Sequence, residues 1–448
     1  MEPSVIGMYG FGAAVLLLIL RVPIAYVLVS VASVCSFIAY AWRPGGNFTF
    51  FRGLRPALGL IESNAYDFIH SYPLSMIPLF IAAGHIAYHA RITTDIYEAM
   101  RVWLARLPGG LAIASLFGCA GFAAITGSSL ACASSMGRIC VPEMIRFGYS
   151  KELATSSVAM GGTLGALIPP SVLFIVYGMF TEQSVSKLFL AGILPGILSL
   201  AGFILVVVIW TVVKPSAAPV AKDLHFTGKE RARAAVKAWP ALMLMTIIIG
   251  GIYGGLFTAT EAAAISLAFA LGFGVVSRRL TWKDFISSMQ ETAHQSAGLF
   301  FIAVGAKIFV SFVSLTGVTG VLVGAVAAAG FDNWTVLLCI VLLYVLLGMF
   351  LDPLGIMLLT LPFVIPLVES MNLDLIWFGV IVVKLLEVGL VTPPVGLNVF
   401  VIKSVISREI QVHTIFSGVI KFLIVDLIVV GLLLAFPIIS LILPMSMS

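Results

Sequence analysis

Charged residues are spaced far apart along most of this chain. Stretches free of Asp, Glu, Lys and Arg run over 3–20, 22–42, 71–90, 107–137, 153–181, 188–213, 238–260, 308–331, 333–351 and 427–448, with shorter ones over 262–277, 353–368 and 388–402. About 20 apolar residues carry an α-helix across a hydrocarbon core, and most of these windows reach or approach that length. Leu, Ile, Val, Ala and Gly follow one another within them, whereas a transmembrane barrel alternates apolar and polar positions in ~10-residue segments. The pattern predicts an all-α polytopic membrane protein.

The polar interruptions set the sidedness. Segment 214–237 carries six Lys or Arg against two acids, together with Pro, Gly and Ser, as cytoplasmic loops do. Arg278-Arg279 with Lys283 lies two crossings later and so falls on the same side. Residues 93–108 and 280–291 are amphipathic, with Ile96, Met100, Trp103 and Leu104 near one face of the first. Such segments lie along the interface as arms or pack as connectors. Residues 3–42 read either as two helices turning at Arg21-Val22-Pro23 or as one long helix, and the cost of an arginine inside the membrane favours the turn. Neither a basic n-region nor a cleavage site marks a signal peptide.

The two halves repeat each other. PLFIAAG at 78–84 matches LFFIAVG at 299–305 with four identities, and GALIPPSVL at 165–173 matches GLVTPPVGL at 389–397 in Gly, both prolines and the final Leu. Each Pro-Pro pair follows a turn-forming segment, TGSSLACASSMG at 126–137 or LDPLG at 351–355, by a little over 40 residues. Segments 110–144 and 333–371 are expected to be re-entrant helical hairpins, because each arm is short for a crossing and each join is rich in turn formers; two kinked spans are the alternative. Parity from the basic loop then makes the repeats inverted. The expected organisation is N-terminal scaffold helices 1–71, a first repeat 72–213 with hairpin 110–144, a cytoplasmic basic linker 214–237, connecting scaffold helices 238–294, a second repeat 295–438 with hairpin 333–371, and a tail 439–448. Inverted repeats with broken helices at matching positions point to an alternating-access secondary transporter, with the site where the breaks meet.

Composition narrows the class further. At 60% hydrophobic and 10% charged, the chain cannot clothe a soluble surface, and a net charge of +5 fits cytoplasmic loops rather than a nucleic-acid surface. Membrane lipids are expected around it and nucleic acid is not. Cys35, Cys119, Cys132, Cys140 and Cys339 form no C-x-x-C and read as small core residues. His85 and His89 have no third ligand in view, so no transition metal is expected. The chain has no nucleophile elbow, H-E-x-x-H, P-loop or dinucleotide fingerprint. An enzyme or an ATP-driven pump is therefore not expected, and no cofactor is required beyond a coupling ion.

The breaks carry the chemistry. In GGTLGALIPPS, 161–171, paired prolines remove helix-forming donors and the glycines admit close backbone approach. Carbonyls freed inside a membrane need a partner, and a bare monovalent cation is one. A first sodium site is expected between Thr126, Gly127, Ser128 and Ser129 at the hairpin tip and Gly162, Thr163, Gly165 and Pro169 opposite; a dry kink is the alternative. Its counterpart joins Asp352 and Pro353 to Gly389, Thr392 and Pro393. Asp352 either binds there or caps the following helix. Asn398 serves ion or substrate. Helix N-termini after both Pro-Pro pairs are expected to aim their positive ends into one cavity, which suits an anion. Lys384 either pairs with Glu387 three residues on or draws an acidic substrate. Glu261, behind Thr258, reads as an N-terminal capping residue.

Together, PLFIAAG, TGSSLACASSMGRICVPEM, RFGYS, GALIPPSVLFIVYG, LFLAGILPG, TATEAAA, GMFLDPLG and GLVTPPVGLNVFV closely resemble the large membrane subunit of tripartite ATP-independent periplasmic (TRAP) transporters, the DctM-like family, over about residues 5 to 444. The resemblance implies a sodium-driven elevator in the bacterial inner membrane that imports a small carboxylate or sulfonate. It also implies two partners, a small four-helix membrane subunit and a soluble periplasmic substrate-binding protein. Ser129, Pro170, Ser171, Lys384, Pro394, Gly396 and Asn398 are then expected to border the substrate. Family members often place an aspartate where this chain reads Leu130-Ala131-Cys132-Ala133, so a role for that carboxylate is not carried over. A separate small subunit is expected, since none is fused ahead of the large-subunit portion. The rival reading is a stand-alone sodium-coupled dicarboxylate symporter or ion exchanger of related inverted-repeat fold.

Overall fold

Arg21 decides how the chain begins. In the computed structural model, which describes residues 2–42, 47–219 and 226–447, Pro3–Ile19 (α1) and Ile24–Ala41 (α2) are separate helices. Arg21 between them is exposed, with a left-handed φ of 65°, and Pro23 lacks the N–H that would extend α1. The turn forms, and Arg21 avoids the roughly 2.5–3.5 kcal/mol that insertion scales assign to a mid-membrane arginine. Phe50–Ile69 (α3) is a helix that the charge-free windows do not disclose, because Arg52, Arg55, Glu62 and Asp67 interrupt it. Gly53 brings it onto α2, where an added Cβ would stand 2.7 Å from the Phe37 carbonyl oxygen.

Met76–His89 (α4) and Ile92–Leu104 (α5) follow. The polar face of α5 is tied down: Arg279 reaches Asp95 at 2.5 Å, Arg101 reaches Glu143 at 2.6 Å, and the Tyr97 hydroxyl donates to Glu143 at 2.6 Å. The segment expected as an arm or connector is thus tied at both ends of its polar stripe. Gly110–Thr126 (α6) and Ser129–Arg146 (α7) pack together across a turn at Gly127-Ser128, and Gly127 holds a φ of +62° that costs L-residues strain. Lys151–Thr163 (α8) passes into a short 3₁₀ turn, then the Pro169-Pro170 break, then Val172–Thr181 (α9). Val185–Val213 (α10) completes the half.

Residues 220–225 of the basic linker lie outside the described residues. Gly228–Lys237 (α11) closes that linker, and Trp239–Met245 (α12), a π turn at Thr246–Gly250 and Gly251–Tyr253 (α13) follow, bent 41° from α11. Ala259–Val276 (α14) starts with the capping box expected from Thr258 and Glu261, the Glu261 N–H meeting Thr258 Oγ1 at 3.3 Å. Trp282–Thr316 (α15) corrects one expectation: the amphipathic 280–291 segment and the span after it are a single 35-residue helix. At 1.5 Å per residue that is roughly 50 Å, well beyond a hydrocarbon core. Val318–Ala328 (α16) precedes Asn333–Gly348 (α17) and Pro353–Ser370 (α18).

Leu375–Val391 (α19) ends at the second Pro-Pro break, Leu397–Val405 (α20) resumes after it, and Val412–Ala435 (α21) follows. The expected tail is itself a helix, Ile438–Met445 (α22), packed on α10 and α19. Among the described residues six helices, α2, α10, α14, α15, α18 and α21, are long and apolar enough to cross a membrane. Of the four expected hairpin arms, α18 passes that test by length and composition while α6, α7 and α17 do not. The halves interlock: α9 packs on α18 and α19, while α20 and α21 pack on α8, and α20 also on α7. One apolar core gathers around α2, α15, α18 and α19, and another around α6, α7, α8 and α21.

Candidate ion and substrate site

The first break is closed by backbone contact. At Gly127 an added Cβ would sit 2.3 Å from the Pro170 carbonyl oxygen, and at Gly165 it would sit 3.0 Å from Ser129 N. Gly162 lies equally near, its Cβ position 3.2 Å from the Ser129 carbonyl oxygen. The Val172 N–H reaches back to the Gly127 carbonyl at 3.5 Å. Thr163 is buried and donates its hydroxyl proton to the Met160 carbonyl at 2.6 Å, while Thr126 donates to Phe122 at 3.1 Å. Both hydroxyls keep lone pairs for a cation. Ser128 and Ser171 cap α7 and α9 by accepting from Ala131 N at 3.4 Å and Phe174 N at 3.3 Å. Pro169 and Pro170 are buried.

The second break uses the same device. Gly389 of α19 meets Gly348 at the end of α17 so closely that a Cβ on Gly389 would lie 2.5 Å from Gly348 Cα. Asp352 caps α18, accepting from the Gly355 N–H at 2.8 Å, so the capping alternative is realised; it also lines the cavity described next. Thr392 donates to Val388 O at 2.6 Å, and Gly396 takes a φ of +59°. Pro394 is exposed, unlike its counterpart Pro170.

A cavity of about 400 Å³ lies where the two tips converge. Thr126–Ser129 form one wall and Asp352-Pro353 another, with Glu387, His294, Gln295 and Val172 between them. The N-termini of α7, α9 and α18 reach it, but that of α20 does not, which corrects the expectation that both helices after the Pro-Pro pairs share one cavity. Thr392, Pro393, Pro394, Gly396 and Asn398 are likewise absent from its lining. A second cavity of about 240 Å³ adjoins through Thr126, Ser128 and Gln295 and contains Ser134, Ser135 and exposed Arg138.

Lys384 is the main correction. Its ammonium is fully buried, pairs with Asp426 and donates to Ser199 Oγ at 2.9 Å. It neither pairs with Glu387 nor lines the cavity, because burying an ammonium demands a fixed counter-charge and α21 supplies one. Asp426 was legible only as a lone acid in an apolar run, a pattern that marks a buried partner. Glu387 instead accepts from Ser129 Oγ at 2.7 Å, joining α19 to the first tip. Asn398 is buried, its Nδ2 3.5 Å from the Ala159 carbonyl and its Oδ1 without a hydrogen-bond partner among the described residues.

Comparison with known proteins agrees with this architecture. Residues 11–439 match the family described as "Tripartite ATP-independent periplasmic transporter, DctM component". The chain is 34% identical over 350 residues, 78% of it and 80% of the relative, to a C4-dicarboxylate TRAP transporter large permease protein of Pseudomonas aeruginosa. It is 31% identical to a sialic acid TRAP transporter large permease protein of Vibrio cholerae, covering 84% and 87% of the two chains. It is 33% identical to an isethionate TRAP transporter permease protein of Oleidesulfovibrio alaskensis, where 90% of this chain spans 61% of the relative. The crystal structure of the Alcanivorax borkumensis YdaH transporter superposes with a TM-score of 0.64 over 98% of each chain at 15% identity, a likeness of fold. The chain belongs to the DctM family of TRAP transporter large permeases.

Proposed function

We propose that this permease imports a small organic anion by sodium-driven, elevator-type secondary transport, receiving it from a periplasmic binding protein and working with a small membrane subunit. The observation that carries the reading is the cavity between the tips, which holds two carboxylates, Asp352 and Glu387. An anion at ~5 Å from a bare carboxylate is repelled by about 3 kcal/mol at an effective dielectric of ~20. Cations at the tips cancel that repulsion, so sodium binds first and the anion follows. Coupling is then an electrostatic consequence of the lining.

Several features support the details. Gly165 and Gly389, 224 residues apart, each abut the backbone at a tip, which supports a repeat of the two halves. A cavity of about 400 Å³ suits a small acid. Relatives named for C4-dicarboxylate, isethionate and sialic acid support an organic anion as cargo. Arg138 in the adjoining cavity offers the anion a positive charge on its path.

The ordering is tested by melting the purified complex with C4-dicarboxylates, sugar acids and small sulfonates. The cognate anion is expected to raise Tm with sodium present and not with choline, since a ligand at a hundredfold its Kd adds about 2.7 kcal/mol. Equal stabilisation in both salts contradicts the ordering. Thr163→Val and Thr392→Val each remove one hydroxyl ligand and are expected to raise the sodium concentration for half-maximal uptake by about 3- to 30-fold. Their KM for the anion at saturating sodium should stay near wild type.

A further inference from the structure

The charges buried around α19 do not balance. Lys384 is matched by Asp426, which leaves Glu387, one turn further along the same helix, as the unmatched acid. Glu387 is 1% exposed, one of its oxygens is held by Ser129, and Oε2 has no hydrogen-bond partner among the described residues. Glu387 is among the residues that line the cavity between the tips, and Oε2 itself is buried. A carboxylate held in a membrane interior by one neutral hydroxyl is costly, and a small cation removes the cost.

We propose that Glu387 and Ser129 form a further cation-binding site, which takes a proton or a sodium ion on Oε2 and adjoins the first of the two sites at the Pro-Pro breaks, with which it shares Ser129. This rests on the cation-coupled reading above and adds a carboxylate to it. Ser129 belongs to the first tip and Glu387 to a helix of the second half, so the site spans the two halves. A filled site neutralises the cavity wall that an anion must approach; an emptied one restores the repulsion.

The surrounding groups fit that role. Lys384 on α19 and Asp426 on α21 are the buried charged groups on this side of Glu387. On α7, Ser129 donates to it and Cys132 lies nearby. Across the cavity Asp352 precedes α18, and His294 and Gln295 come from α15. Ser199 of α10 is engaged by Lys384.

The test is Glu387→Gln, which keeps an acceptor for Ser129 and removes the charge, with Glu387→Asp as a charge-retaining second variant. Direct binding of radioactive sodium and proton release on sodium addition are measured on the purified complex, alongside uptake in proteoliposomes at several pH values. If Oε2 holds sodium, Glu387→Gln binds about one ion fewer and its sodium Hill coefficient falls. If it holds a proton, sodium binding is unchanged, but proton release and the pH response of uptake disappear. Glu387→Asp retains whichever signal the wild type shows. Wild-type sodium stoichiometry, proton release and pH response in a folded Glu387→Gln overturn the proposal. Wild-type protein without sodium-dependent uptake overturns the transport reading instead, and the binding measurements still decide Glu387.

Discussion

Gly127→Ala is expected to leave a folded permease that no longer transports. Two costs fall on the same atom. Gly127 has a φ of +62°, where an L-residue costs roughly 1–2 kcal/mol. Its Cβ would also stand 2.3 Å from the Pro170 carbonyl oxygen, and backbone cannot swing aside as a side chain can. Overpacking adds about 1–3 kcal/mol, so the tip is held off the break. With each 1.4 kcal/mol a factor of ten, uptake should fall by about 30-fold or more. Gly272→Ala is the control, since nothing lies within 4 Å of its Cβ position. Uptake by Gly127→Ala within a fewfold of that control would show that the tip need not seat on Pro170.

Lys384→Met is expected to give the largest loss of stability. Both partners of the Lys384–Asp426 pair are fully buried; Lys384 bonds Asp426 Oδ1, and Oδ2 has no hydrogen-bond partner among the described residues. Removing the ammonium strands a carboxylate, which typically costs about 3–5 kcal/mol, whereas replacing both ions with apolar groups is often neutral. Adding Asp426→Leu to Lys384→Met should therefore recover most of the lost Tm. Thermal melting of the purified single and double variants checks this. A double variant no more stable than Lys384→Met would mean that the ammonium acts through Ser199 rather than through Asp426.

Much of the architecture of this polytopic inner-membrane protein is legible in the sequence because hydrophobic length is a one-dimensional property. The turn at Arg21, both Pro-Pro breaks and the joins at Gly127 and Asp352 follow from residues that cannot continue a helix in lipid. The helix at Phe50–Ile69 escapes that reasoning because Arg52, Arg55, Glu62 and Asp67 break every long charge-free window in it without breaking the helix. The merger of 280–291 into α15 escapes it too, since polarity marks where a helix leaves the apolar layer and not where it ends. The site was half legible. Gly127, Gly162, Gly165 and Ser129 lie together as their chemistry suggests. Lys384 and Glu387 do not pair, because their partners come from α21 and α7, more than 40 and 250 residues away in sequence. Spacing along one helix carries no information about such contacts.

The most direct test of cation-first anion transport is uptake into proteoliposomes containing this chain with its small subunit and binding protein. Radiolabelled organic anions are offered with sodium high outside, with sodium equal on both sides, and with choline in its place. The account predicts accumulation only under the inward sodium gradient and only with binding protein present. Sodium-driven accumulation without binding protein would identify a stand-alone symporter. Equal accumulation in choline would contradict cation-first coupling altogether.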